Sequence, residues 1–529
     1  MILTIQLVAI DPKKLPKDPE ILQQIVVDLT RQLDKSQRLL QQLLTTRSGT
    51  RSEQLSPDQL RLFAQQVGIE LAAPETAEPE DKQQKDDDDP PAAGNGRDSD
   101  GKKRGRQPLP GHLKRERFVY DLAEEDKHCA ECHEDLRRIG EEVSERYEYV
   151  PARMLVIEDA CQKYACAYTV KTAAKPAQPI EKSTAGASVL AHVIVSKLAD
   201  HLPIHRQAKI MVSGLPVGDC FAIMRRFGVE ISDQTMCGWM RQSAELLAPL
   251  YKCLKEFVLS SKVVGTDDTP VKVLDRELPH TRKGRIWPYV GDQDHPAVIY
   301  DYTPTRERAG PERFLASYRG YLQADAYVAY DSFFTNPARG LVEVGCWAHG
   351  RRHVYQARDL DPARMGAVLA YIAQLYAVEK RARRSGIRGE DLRLLREQVS
   401  RPVIENLNSY LLTIKDELLP KSEAGQAVSY LLKNWTALTR YLENGDLHID
   451  NNQTERSLRG VAIGRNNWTF LGSDRGGKTF AILRSFVASC ELLKLDPFQW
   501  LRDVLSRIPT HSIQQLDQLL PHAWAAARS

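Results

Sequence analysis

The sequence predicts a multidomain α/β protein, and three observations lead there. Strand-forming runs cluster between Val263 and Trp347, interrupted by one helix-like stretch at Pro311–Tyr318, so a layered sheet with helices is expected. Residues 361–445 read as helix throughout, with Leu, Ile and Tyr at spacings of three and four, and look inserted between those strands and the segment from residue 446 onward. Before Val263 the texture changes several times. At 529 residues the chain has room for several such units.

Composition narrows the class. Hydrophobic residues at 42% and charged residues at 27% are ordinary for a globular protein. No run of 18 apolar residues occurs, so no membrane span is expected. Met1–Ile10 lacks the charged start and small-residue cleavage site of a signal peptide. Nine scattered cysteines without an export signal point to a reducing, cytoplasmic setting.

In chain order, residues 1–50 hold a helix, Glu20–Leu44. Its Leu22, Leu29 and Leu43 fall in one heptad column, and Val26, Leu33 and Leu40 in the other. That seam predicts a coiled coil and self-association. Residues 51–110 form a linker, partly disordered: Asp86–Asp89, Pro90-Pro91 and a basic run at Lys102–Arg106 leave almost nothing apolar to bury. Residues 111–180 form a small cysteine module. Cys129-x-x-Cys132, joined by Cys166 some thirty residues on, has the spacing of a zinc site, although Tyr168 and Thr169 stand where a fourth cysteine is expected. Residues 181–260 are helical and contain a helix-turn-helix pattern. DCFAIMRRF leads through Gly228 to Ser232, which caps a second helix beginning at Asp233. Its first turn presents Gln234 and Thr235, with Arg241 further along, as DNA contacts.

Residues 261–360 carry the strands. Val263–Leu274 is apolar enough to be buried, yet holds Asp267 and Asp268 at its centre. A buried carboxylate costs several kcal/mol unless paired or bound to a cation. Alternation along a strand sends the two to opposite faces, so one alone serves a given site. With Arg285–Gly291 and Ala297–Tyr302 this strand predicts an antiparallel meander, the turn falling at Thr281–Gly284. Asp325 ends a later strand, and His349-Gly-Arg-Arg-His353 follows another. Within the insertion, Lys380–Arg384 is a basic cluster, either a solvated face or a DNA-facing one. Residues 446–510 resume with a helix capped by Asp450 and bearing Glu455, Arg456, Arg459 and Arg465. Gly476-Gly477-Lys478-Thr479 lacks P-loop spacing, and nucleotide binding is rejected. Residues 511–529 read as a tail.

Asp267, Asp325 and Glu455 are far apart in sequence, and their spacing does not bring them together. If they converge, three hard oxygen ligands suit Mg²⁺ or Mn²⁺, the ions of in-line phosphoryl displacement on nucleic acids.

Long stretches resemble one family. GRQPLPGHLKRERFVYDL, IGEEVSERYEYVPAR, KPAQPIEKSTAGASVLAHVIVSKLADHLPIHRQ, TDDTPVKVL, GYLQADAYVAYDSF, VGCWAHGRRH, HIDNNQTERSLRGVAIGRNNWTFLGSDRGGKT and LDPFQWLRDVL look like the IS66-family transposases, DDE transposases of bacterial insertion sequences. The resemblance implies an RNase H-like core interrupted by a helical insertion, with Asp267, Asp325 and Glu455 as the metal-binding triad. It implies Mg²⁺-dependent cleavage of 3′ ends and strand transfer in the nucleoid of a bacterium. His349, Arg456, Arg459 and Arg465 are added to the DNA-contact candidates. Terminal inverted repeats and target DNA are the implied partners, with small accessory proteins of the same element. The chain departs from the family pattern at Asp268, usually glutamate, at the missing last cysteine, and in extra length between Ile210 and Val229. The rival readings are a nuclease that only hydrolyses, such as a resolvase, and a catalytically silent DNA-binding regulator.

Overall fold

The computed structural model describes residues 177–212, 231–275, 277–325 and 333–528, with short pieces at 157, 159, 163–165 and 170–172. All of these belong to one of the two compact units into which the chain divides. The N-terminal heptad helix, the linker, Cys129, Cys132 and Cys166, and the first helix of the helix-turn-helix lie outside the described residues.

A short hairpin, β1 (Lys163–Ala165) with β2 (Val170–Thr172), comes first, followed by helices α1 (Ala187–Leu198), α2 (Ile204–Val212) and α3 (Asp233–Leu259). Ser232 caps α3 as expected, its Oγ accepting the Thr235 N–H at 3.1 Å. The helix runs 27 residues, well past Leu247, because apolar residues keep recurring at three and four: Met240, Ala244, Leu247, Leu250, Leu254 and Val258 are all buried.

The sheet then forms from β3 (Val263–Thr266), β4 (Thr269–Val273), β5 (Arg282–Val290), β6 (Val298–Thr303), β7 (Gly320–Gln323) and β8 (Leu341–Val344). Both β3 and β4 pair antiparallel with β5 in one unbroken register, Thr266 facing Tyr289 and Thr269 facing Ile286. They are therefore a single strand whose ladder lapses at Asp267-Asp268, and the register sets Asp267 opposite Pro288, which has no N–H to give. The expected turn at Thr281–Gly284 is corrected: Arg282 pairs with Val273, so the chain reverses earlier and Arg282–Gly284 are strand. On the other side β3 pairs parallel with β7, and β7 parallel with β8. The spatial order is thus β6, β5, β3/β4, β7, β8, an antiparallel meander continued by two parallel strands. Helix α4 (Ala309–Phe314) makes the crossover from β6 to β7.

Helix α5 (Trp347–Ala357) leads into the insertion, made of α6 (Pro362–Arg384), α7 (Gly389–Leu395), α8 (Arg401–Lys415), α9 (Glu423–Lys433) and α10 (Trp435–Thr439). The insertion packs Leu369, Ile372, Leu407, Leu411, Val428 and Leu431 into a core that continues into the sheet through Val263 and Val344. One buried cation ties it to the returning chain. Arg396, 1% exposed, uses all five N–H groups: two bonds to the Glu379 carboxylate and three to the carbonyls of Tyr441, Asn444 and Leu447.

Three helices close the unit: α11 (Asn452–Trp468), α12 (Asp474–Leu492) and α13 (Pro497–Arg507). Helix α12 covers the edge strand β6. Ser485 and Ser489, one turn apart, accept the Tyr300 and Val298 N–H groups at 2.8 and 3.0 Å, which blunts the open edge. The Gly-Gly-Lys-Thr sequence lies in the first turns of α12, where Gly477 packs against the Tyr302 ring. Residues 511–529 are not a free tail. Leu516, Leu519, Leu520 and Trp524, the last on α14 (Pro521–Ala526), are buried in the core that holds the sheet.

Candidate active site

The parallel register between β3 and β7 decides how two of the carboxylates meet. Val263 faces Tyr321, Val264 faces Leu322 and Gly265 faces Gln323. Two residues further, the same offset sets Asp325 beside Asp267, on one face of adjacent strands spaced about 4.8 Å apart. The third carboxylate arrives on a helix. Asn451, just before α11, donates from Nδ2 to the Thr266 carbonyl at 2.9 Å, and its backbone N–H reaches Cys346 Sγ at 3.2 Å. Thr454 and Asn451 press on Gly265, where a Cβ would collide with Thr454 Oγ1. Gly265 lies two residues from Asp267 and so on its face, and the absence of a side chain lets the start of α11 settle there with Glu455 in its first turn.

The electrostatics record the convergence. Burial pushes the Asp267 carboxyl up to about 7, and the charges of Asp325, Asp268 and Glu455 add to it, against the Asp268 N–H that donates to Oδ1 at 2.7 Å. Burial, followed by the charges of Asp268 and Glu455, lifts Asp325 to about 6, with Arg306 opposing. Carboxyls raised by both burial and like charge favour a shared cation.

Asp268 belongs to a different arrangement. Its carboxylate is 2% exposed and accepts from Arg285 at 2.7 Å and from two nitrogens of Arg306 at 3.0 and 2.7 Å. This buried carboxylate thus holds two guanidinium groups together, and removing it breaks both ion pairs.

His349 stands in the first turn of α5, with Nδ1 3.6 Å from Glu455 Oε1, and Arg352 reaches Glu455 Oε2 at 3.9 Å. Burial, then Arg352 and His353, lower the His349 ring to about 4, so it is neutral at pH 7. Arg456 and Arg459 are exposed on α11, one and four residues beyond Glu455. Arg465 bends back to Thr269 Oγ1 at 2.8 Å and the Pro270 carbonyl at 3.0 Å, tying α11 to β4. Gln234 and Thr235 are exposed and Arg241 is half-buried, all on α3, an element separate from those carrying the carboxylates.

Comparison with known proteins decides the family. A sequence model described as "Transposase IS66 family" matches residues 182–479, more than half of the chain. The chain belongs to the IS66 transposase family. Further matches follow its length: "Transposase C of IS166 homeodomain" at 36–117, "zinc-finger binding domain of transposase IS66" at 126–167, and "IS66 C-terminal element" at 485–522. The uncharacterized protein y4jD of Sinorhizobium fredii is 33% identical over 97% of this chain and 98% of its own length. The uncharacterized proteins y4qI and y4hP of the same organism are 31% and 29% identical, over 89% and 80% of this chain and 85% and 77% of theirs. No described helix is long and apolar enough to cross a membrane.

Seen as an IS66 transposase, the chain holds residues that sequence reasoning passed over. Cys346 lies with His349 and Glu455, the three offering ligand atoms within 4.8 Å of one another. The Cys-x-x-His spacing was the available signal, three residues apart at a strand-to-helix junction. Gly265, Arg285 and Arg306 carried no signal, because their roles depend on partners from other elements.

Proposed function

We propose that this transposase catalyses divalent-ion-dependent cleavage at the 3′ ends of an insertion sequence and transfers those ends to target DNA, with Asp267, Asp325 and Glu455 as the catalytic carboxylates. One observation carries the reading: the β3/β7 register carried two residues on pairs Asp325 with Asp267, and Glu455 in the first turn of α11 is near enough for its charge to raise both. The strand order, an antiparallel meander continued by two parallel strands with the acids on the central strand and its neighbour, supports an RNase H-like core.

The donor chemistry suits a hard divalent cation, since three carboxylates lie near enough for their charges to act on one another and two of them are raised by burial and like charge. Asp267, Asp325 and Glu455 would hold Mg²⁺ or Mn²⁺, which when bound would supply Lewis acidity for in-line displacement at phosphorus. The chain's own residues do the rest. Gly265 and Asn451 fix the approach of Glu455 to the strand. His349, kept neutral by burial, flanks Glu455 without adding a competing charge. Arg352, Arg456 and Arg459 border the acids with cations suited to phosphate oxygens.

The first turn of α3, with Gln234 and Thr235, and Arg241 beyond it, reads the terminal repeats in this account. Cys129, Cys132 and Cys166 hold zinc, and the N-terminal helix joins subunits. Accessory proteins of the element and the bacterial nucleoid complete the setting. The test uses the full chain, labelled terminal-repeat DNA, a plasmid target and Mg²⁺. Labelled ends joined to the plasmid are expected. Ends that are cut and never joined would reduce the activity to hydrolysis.

A further inference from the structure

We propose that Cys346, His349 and Glu455 form a second metal site, for a transition-metal cation of the Zn²⁺ class, which shares Glu455 with the carboxylate cluster. Its consequence for activity rests on the proposed role of Glu455; the site itself does not.

The three donors are a sulfur, an imidazole nitrogen and a carboxylate oxygen, all within 4.8 Å of one another. Sulfur and nitrogen ligands select Zn²⁺ or Co²⁺ over Mg²⁺, which prefers oxygen alone. Bonds of about 2.0–2.3 Å set tetrahedral ligands about 3.3–3.8 Å apart, so side-chain rotations of about 1 Å close the site. A fourth position stays open to water.

Two further observations point to a ligand. Cys346 is the N-cap residue of α5, and its sulfur receives the Asn451 N–H at 3.2 Å. That N–H opposes the burial that pushes this thiol up, and a bound cation would complete the stabilisation of the thiolate, the form that binds metal. His349 Nδ1 is buried and makes no hydrogen bond among the described residues, standing 3.6 Å from Glu455 Oε1. That separation exceeds a hydrogen bond and suits two ligands of one ion. On binding, the Cys346 thiol loses its proton to solvent and no electrons move. Zinc held there draws Glu455 away from Asp267 and Asp325, so Zn²⁺ opposes Mg²⁺-supported strand transfer.

The test counts zinc per chain, by elemental analysis of the full-length protein equilibrated with buffered Zn²⁺. Wild type is compared with Cys346→Ser, His349→Gln and Asp267→Asn. Cys346→Ser and His349→Gln are expected to hold one zinc fewer than wild type, and Asp267→Asn the same number as wild type; zinc in the Cys129/Cys132 module is common to all four. Co²⁺ substitution reads the same site independently, as a sulfur-to-cobalt absorption band that is weaker in Cys346→Ser. Equal zinc counts in all four proteins overturn the proposal. If Cys346→Ser fails to fold by thermal melting, His349→Gln decides alone, since it leaves the Asn451 N–H bond to the sulfur in place. Zinc counts need no catalysis. A lost zinc in a chain without Mg²⁺-dependent joining would therefore leave this site standing and overturn only the carboxylate reading.

Discussion

Gly265→Ala is the sharpest probe of how the third carboxylate is delivered. An added Cβ would overlap Thr454 Oγ1 and lie 3.0 Å from Asn451 Oδ1, both in the first residues of α11 or just before it. Restoring van der Waals separation requires Thr454 to retreat by about 1 Å. Neither neighbour can yield alone, since Thr454 is 1% exposed and Asn451 is held to Thr266 and Cys346. The helix start must therefore lift, carrying Glu455 with it. Overpacking of this kind costs about 1–3 kcal/mol of stability. A displacement near 1 Å at a reacting centre costs on the order of 10²-fold in rate. Strand transfer from pre-cut ends, measured beside thermal unfolding, separates the two effects. The variant is expected to stay folded and lose about a hundredfold in rate, and Thr454→Ala in the same chain is expected to recover much of that loss. Full activity in Gly265→Ala, or no recovery in the double variant, would refute the geometry.

Other expectations rest on the same contacts. Asp268→Ala leaves Arg285 and Arg306 without their shared buried carboxylate and should cost about 2–3 kcal/mol, read by denaturant unfolding. Arg396→Met breaks the bonds to Glu379 and to three carbonyls ahead of α11, so stability should fall by about 3 kcal/mol or more, and hydrogen exchange should rise across residues 441–451. The carboxylate cluster also makes stability depend on pH. Asp267 and Asp325 bind their protons more tightly folded than unfolded, so their contribution is most favourable below pH 4 and is lost as pH rises towards 7. Without divalent ions, the melting temperature of wild type relative to Asp267→Asn should therefore drop between pH 5 and pH 8, and Mg²⁺ should reverse that drop. A difference independent of pH and Mg²⁺ would contradict it.

Much of this architecture is visible in the residues themselves. The meander from Val263, the strand ending near Asp325, the Ser232 cap and the helical insertion each arise from local pattern, because periodicity and capping are local properties. Asp267, Asp325 and Glu455 could be named from the sequence, yet their meeting could not be derived from it. It depends on the parallel offset of β3 against β7 and on a glycine that admits α11, and both involve residues distant in the chain. The same limit explains Asp268. Alternation along the strand predicts the opposite face, yet its charge acts on both Asp267 and Asp325, and two arginines from β5 and the segment after β6 make it a buried anchor. The last nineteen residues read as a tail because Pro521 divides their apolar positions into pieces too short to fix an element by pattern. Leu516, Leu519 and Trp524 are buried against helices laid down far earlier, including α3, whose Phe257 stacks on His522.

The most direct measurement is strand transfer by Asp267→Asn, Asp325→Asn and Glu455→Gln, each compared with wild type for terminal-repeat binding and thermal stability. The account predicts that all three lose joining by several orders of magnitude while retaining end binding and fold. Joining at near wild-type rate in any one of them would contradict it.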